Sequence, residues 1–262
     1  MAATPPPSAH QGLRFDLRTH GVVEPAHAEQ ARHAITAVVT AHHEATGPVR
    51  LRISGGHVAG GTTLVQVNLR VRDEPARIQI TGPIPQAAID AAADRLEHQI
   101  RRLNLGMDLT AAPDPVRRLL DIPGHAPIAR LKTVRLHATT PAHAAAHLTA
   151  MDYEAHLFTD TDTDEDAVVY RAGPAGLRLA RQHSKRPPST PITHPLTVNS
   201  RQTPTLNTTD AAHRLADAWL PFIFYTDRDT GRGNLLYRRY DSNLGLISPL
   251  LPNPQDPPNP KQ

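Results

Sequence analysis

Cysteine is absent from these 262 residues. That removes disulfides, thiolate metal sites and thiol catalysis together, and it fits a reducing compartment. Lysine is scarce as well: of the 28 basic residues only Lys132, Lys185 and Lys261 carry an ammonium group. The rest are arginines, whose planar fork suits phosphate and base contacts better than a point charge does. Aromatics make up only 4%. No apolar run approaches the roughly 18 residues that a membrane span needs. The opening MAATPPPSAHQG has neither the basic flank nor the apolar stretch of a secretion signal. The expectation is a soluble, cytoplasmic chain.

Proline is abundant, with 26 residues, and its clusters punctuate the chain. The reading that follows is a disordered start over 1–12, a domain over 13–105, a linker over 106–128, a small module over 129–183, a second linker over 184–194, a second module over 195–250 and a disordered tail over 251–262. The 106–128 linker is expected to be mobile, with one helical turn at Val116 to Leu120. The net charge of +3 permits nucleic-acid binding without demanding it.

In the first domain a strand-like run, Leu13 to Arg18, precedes a helix whose apolar positions Ala28, Ala31, Ile35, Val38 and Val39 recur at three and four; the helix is expected to end near Gly47. Three strands are read at Arg50 to Ile53, Leu64 to Val71 and Arg77 to Ile80. A second helix runs from Pro85 to Leu103 with Ile89, Ala93, Leu96, Ile100 and Leu103 on one side. The order β-α-β-β-β-α implies a two-layer sandwich with both helices on one face of the sheet.

The rest of the chain repeats one design at an offset of 67 residues: Leu148 falls on Leu215, Thr159-Asp160 on Thr226-Asp227, and Tyr170-Arg171 on Tyr237-Arg238. Each copy reads as strand, short helix and a hairpin closed by an acidic loop. The first copy then drifts by two residues, so that Gly176-Leu177 matches Gly245-Leu246. The fold class is therefore α+β, a two-layer sandwich followed by two small tandem α+β modules.

Ala88-Ile89-Asp90 followed by Asp94 to Arg101 resembles the second helix of the bacterial ribosome hibernation promoting factors. Pro221 to Tyr225, Asn234-Leu235-Leu236-Tyr237-Arg238-Arg239-Tyr240-Asp241 and Gly245-Leu246-Ile247 resemble that family's C-terminal dimerisation module. The resemblance implies a non-enzymatic factor, without cofactor or metal, that binds the 30S subunit and 70S ribosome at the decoding region through 16S rRNA, blocks mRNA and tRNA, and preserves idle ribosomes. The chain departs from the family's usual long form. The module occurs twice, Ser242 stands where the family has Gly, and Ala172-Gly173 follow Arg171 where a second Arg and an Asp are expected. These departures bear against ribosome dimerisation. Tandem modules also fit a protein-interaction adaptor that does not act on the ribosome.

On the second helix Arg95, His98 and Arg102 form a stripe with Arg101 beside it, a pattern that can track a phosphate backbone. Arg32 and His33 on the first helix and Arg70, Arg72 and Arg77 on the strands are further candidates for rRNA contact. Sixteen histidines invite a metal reading, and His143 and His147 share a helix face at zinc-like spacing, but no third ligand is apparent. Asp160-Thr-Asp162-Thr-Asp164 imitates the start of a calcium loop yet lacks the Gly at position six. Trp219, Phe222, Phe224, Tyr225, Tyr237 and Tyr240 concentrate the aromatics, and their strand alternation favours an interface over base stacking. The expected pairing surface between modules is Val168, Tyr170, Phe222, Phe224, Leu236, Tyr237, Arg238 and Tyr240. Tethered so closely, the two copies are expected to pair within one chain and leave a monomer, with a homodimer as the alternative.

Overall fold

The computed structural model describes residues 14–55, 62–105, 124–172, 176–189 and 196–251. It forms two compact units, Met1–Leu109 with Thr149–Asp152, and Thr110–Leu148 with Tyr153–Gln262. The expectations for 1–12, for Val116 to Leu120 and nearly all of the 106–128 linker, and for the tail past 251 lie outside the described residues.

The first unit contains β1 (Phe15–His20), α1 (Pro25–Ala41), β2 (Ala45–Ser54), β3 (Thr63–Val71), β4 (Glu74–Gly82) and α2 (Pro85–Leu105). The sheet runs β1-β2-β3-β4, with β1 parallel to β2 and the other neighbours antiparallel. Alternation decides its faces: Leu51, Ile53, Val65, Val67, Leu69 and Ile78 point into a core shared with Ala31, Ile35 and Val39 of α1 and Ala88, Leu96 and Ile100 of α2. The α1 helix starts on Pro25, where the missing N–H costs nothing. It ends at Ala41 instead of near Gly47. Gly47 lies inside β2, at φ +72, where the register slips between Thr46 and Arg50; the glycine serves a bulge and does not cap the helix.

The second unit is built from β5 (Ile128–Val134), β6 (Ala138–Thr139), α3 (Pro141–Ala150), β7 (Ala155–Asp160), β8 (Glu165–Arg171), β9 (Leu177–Arg181), β10 (Leu196–Val198), β11 (Thr205–Leu206), α4 (Thr208–Asp217), β12 (Phe222–Asp227), β13 (Gly233–Arg238) and β14 (Leu244–Pro249). The last residues of α3 and the turn after it, Thr149–Asp152, belong with the first unit. The sheets run β10-β9-β8-β7-β6 and β11-β12-β13-β14-β5.

The 67-residue repeat holds down to single hydrogen bonds. Tyr153 N–H donates to Leu148 C=O as Leu220 does to Leu215; Arg171 N–H donates to Glu154 C=O as Arg238 does to Pro221; Thr159 N–H donates to His137 C=O as Thr226 does to Pro204. Asp152 and Trp219, the residues that end the two helices, share φ +54. One feature departs from two separate modules. The first strand of each copy joins the sheet of the other: β5 runs parallel to β14, and β10 runs parallel to β9. The modules as read over 129–183 and 195–250 therefore exchange edge strands. Each exchanged strand covers an edge that would otherwise present unpaired backbone.

Candidate nucleic-acid interface and paired modules

The α2 cations do not form one exposed row. Arg95 is 5% exposed, and its Nη2 donates to Asp152 Oδ1 at 2.7 Å, with the carboxylate also accepting from Gln79 N–H at 3.2 Å. Arg102 is half-buried and donates to Thr149 C=O at 3.2 Å and to Gln99. His98 and Arg101 are exposed, and Arg101 sits 2.5 Å from Glu97 one turn back. A helical wheel carries no information about what lies opposite a side chain, and here Arg95 and Arg102 meet Asp152 and Thr149 instead of solvent.

The other candidates separate in the same way. Arg32 is exposed and held by Glu29 at 2.7 Å, which raises its pKa through the hydrogen bond and the charge. His33 is exposed beside it. Arg72 is not on the sheet: with Asp73 it forms the β3–β4 turn, both at positive φ (50° and 64°) as a tight two-residue hairpin requires. Arg70 and Arg77 do lie on the sheet's open face. Arg70 Nε donates to Asp73 C=O at 2.7 Å, and Arg77 Nη1 to Met151 C=O at 3.1 Å. Sequence reasoning passed over Arg18, Arg50 and Arg52, which share that face. The alternation of Val49, Leu51 and Ile53 with Arg50 and Arg52 was the signal that could have found them.

In the second unit the two sheets press an apolar layer between them. Leu157, Val168 and Ala180 from one sheet meet Phe224 and Leu235 from the other, with Tyr170, Phe222 and Ile247 at the margin. The Tyr170 and Phe222 rings meet edge to face at 5.3 Å. Leu236 is corrected by its parity: one residue on from Leu235, it faces the opposite way and packs with Ala211 and Leu215 of α4. Arg238 likewise leaves the layer, its Nε donating to Leu220 C=O at 3.0 Å, the counterpart of Arg171 donating to Tyr153. Tyr240 lies past the end of β13, under the Arg239 guanidinium at 5.7 Å. Of the expected pairing residues the structure therefore brings together Val168, Tyr170, Phe222 and Phe224, and adds Leu235.

Polar contacts flank the layer. Asp166, 3% exposed, accepts from Arg232 Nε at 2.7 Å, from Arg232 Nη2 at 3.0 Å and from Gly233 N–H at 2.8 Å. The Arg232 pKa rises through that hydrogen bond. Gln182 Nε2 reaches Gly231 C=O at 2.8 Å and Thr226 Oγ1 at 3.1 Å. The acidic β7–β8 loop uses its carboxylates internally: Asp160 accepts from Arg181 Nε at 2.6 Å and from Asp162 N–H at 2.8 Å. His143 is exposed, and the His147 ring lies tilted against that of His156, with centroids 4.7 Å apart. Among the described residues no group of three or more His, Asp or Glu side chains is placed to hold a metal ion, and no helix is long and apolar enough to cross a membrane.

The family model for the Sigma 54 modulation/S30EA ribosomal protein C terminus matches residues 124–179. The dormancy associated translation inhibitor of Mycobacterium tuberculosis is 48% identical over 238 residues, 86% of this chain and 85% of that protein. The chain belongs to the ribosome hibernation promoting factor family. Two solved structures also align with part of this hibernation factor. A ribosomal subunit interface protein from Coxiella burnetii is 14% identical and covers 36% of this chain and 99% of its own, with a TM-score of 0.31. The Protein Y N-terminal domain from Thermus thermophilus is 18% identical and covers 35% and 99%, with a TM-score of 0.30.

The family's C-terminal motif acquires physical reasons in this hibernation factor. A Cβ on Gly245 would lie 2.5 Å from the Tyr237 ring, so the Gly that opens Gly-Leu-Ile lets the facing tyrosine lie flat across the sheet. Ser242, where the resemblance has Gly, sits at φ +67 in the β13–β14 turn, a conformation in which any side chain is strained. Arg239 and Asp241 brace that turn, Nη2 to Oδ2 at 2.8 Å. Their hydrogen bond holds the Asp241 carboxyl below its ordinary range and the Arg239 guanidinium above its own.

Proposed function

We propose that this chain is a ribosome-binding inhibitor of translation that acts in the cytoplasm. Its first unit binds the 30S decoding region through 16S rRNA, blocks mRNA and tRNA, and keeps idle 70S ribosomes intact. The observation that carries this reading is the 48% identity, across 86% of the chain, to a dormancy associated translation inhibitor. The cations available for rRNA are Arg32, Arg70, Arg72, His98 and Arg101 as exposed groups, with Arg77, Arg95 and Arg102 more tightly held. The role is binding and exclusion, with no bond made or broken.

The paired modules support a second part of the reading. The apolar layer by which two modules associate is filled from within one chain, so the protein acts as a monomer on single 70S particles and does not join two ribosomes. Addition of the purified chain to a cell-free translation system tests the function. Protein output falls as the chain approaches ribosome stoichiometry and the chain pellets with 30S subunits; undiminished output with the chain in the supernatant contradicts the reading.

A further inference from the structure

Two rows of side chains cross the open face of the first sheet. Asp16, Arg50, Asn68 and Arg77 are neighbours in one row, and Arg18, Arg52, Gln66 and Gln79 in the next. Arg70 continues the face along β3. Thr149–Asp152 meets the β4 side of this surface, through Arg77 and the Gln79 N–H, so among the described residues the part over β1, β2 and β3 is what remains. Arg18 has a side-chain exposure of 76% and a single carboxylate, Asp16, at 3.1 Å. Arg50 and Arg70 are exposed and Arg52 half-buried. Among the described residues no carboxylate pairs with these three: Arg52 Nε donates to Ser54 Oγ at 3.2 Å, and Arg70 to a backbone carbonyl.

Like charges placed opposite each other across strands, as Arg18 and Arg52 are, work against the sheet. A fold that retains such an arrangement on its solvent face is suited to a polyanion. The charges are forks, Arg50 and Arg52 stand about 7 Å apart along one strand, and the intervening groups are the amides of Gln66 and Asn68, which also donate to phosphate oxygens. No aromatic ring shares the rows, so the face has no platform for stacking bases and reads charge and backbone shape.

We propose that the open face of the β1–β3 sheet, centred on Arg18, Arg50, Arg52 and Arg70, binds the phosphate backbone of RNA as a surface separate from the exposed α2 cations His98 and Arg101. It rests on the ribosome-binding reading for the identity of its target and on strand register for its place. The test is anisotropy of a labelled 20-nucleotide uridine RNA with the full chain, across several salt concentrations. Replacing Arg50→Glu and Arg52→Glu together weakens binding at least tenfold and flattens the log–log salt dependence by about 1.4, near 0.7 for each lost phosphate contact. The Arg50→Lys and Arg52→Lys pair keeps the slope. Should the glutamate pair fail to fold, the Arg50→Gln and Arg52→Gln pair carries the same expectation in reduced form. Unchanged affinity and slope in a folded variant overturns the proposal, as does equal competition by a poly-glutamate peptide of matched charge. Co-sedimentation of the unmodified chain with 30S subunits is read in parallel. A chain that binds RNA through this face yet stays off 30S removes the ribosome reading alone; a chain that pellets with 30S while the variants bind RNA normally removes the face alone.

Discussion

Val168 and Leu235 occupy equivalent positions of the two module copies, and both are buried in the apolar layer between the two sheets of the second unit. Around them the copies mirror one another: Leu157 corresponds to Phe224, and Ala155 to Phe222. Each copy also lends its first strand to the other's sheet. A surface that could recruit a second chain is satisfied by the chain itself.

A monomer follows. Two modules held on one chain meet at an effective concentration near the millimolar range, well above that of separate molecules in dilute solution. Light scattering of the purified protein should give a single species near 28.5 kDa across micromolar concentrations. A stable species of twice that mass would mean that the modules pair between chains.

The apolar layer should contribute measurably to stability. Leu235 is 2% exposed, and Leu235→Ala removes side-chain burial and leaves a cavity, a loss of about 2 to 5 kcal/mol. Chemical denaturation followed by circular dichroism measures it. A loss under about 1 kcal/mol would mean that the layer collapses around the gap or is not the contact that joins the sheets.

Asp166 offers a polar counterpart. Asp166→Ala strands both the Arg232 guanidinium and the buried Gly233 N–H, at a cost of about 2 to 4 kcal/mol. A double-mutant cycle with Arg232→Ala should return a coupling of about 1 kcal/mol or more. Additive effects of the two substitutions would remove this pair as a link between the copies.

Acid should loosen the first module through His156. Burial, then the neighbouring charges of His147 and His137, lowers its pKa from 6.5 to about 4. The unfolded chain thus binds a proton that the folded chain refuses between those values. The stability this neutral ring confers is complete above pH 6.5 and declines as pH falls toward 4. The melting temperature should drop over that window, and less steeply in His156→Phe, whose ring can retain the contact with Phe158. Parallel curves for the two proteins would assign the acid sensitivity to other groups.

Much of this architecture is legible in the sequence because it rests on local periodicity. The 3.6-residue spacing of Ala28, Ala31, Ile35 and Val39 and the two-residue alternation of β3 place the first core, and the repeat offset aligns the second unit down to its hydrogen bonds. Partner choice was not legible. Nothing in Ile128 to Val134 says whether that strand completes its own copy's sheet or the other's, since both offer the same kind of edge. The burial of Arg95 depends on Asp152, 57 residues away, which no helical wheel reports. Leu235 and Leu236 are chemically identical neighbours, and only strand parity sends one to the layer between sheets and the other to α4.

A sucrose-gradient profile of lysate from non-growing cells that express the chain tests the central claim most directly. The account predicts the protein in the 30S and 70S fractions with no 100S peak. Protein confined to the top of the gradient, or a 100S peak that depends on the chain, would contradict it.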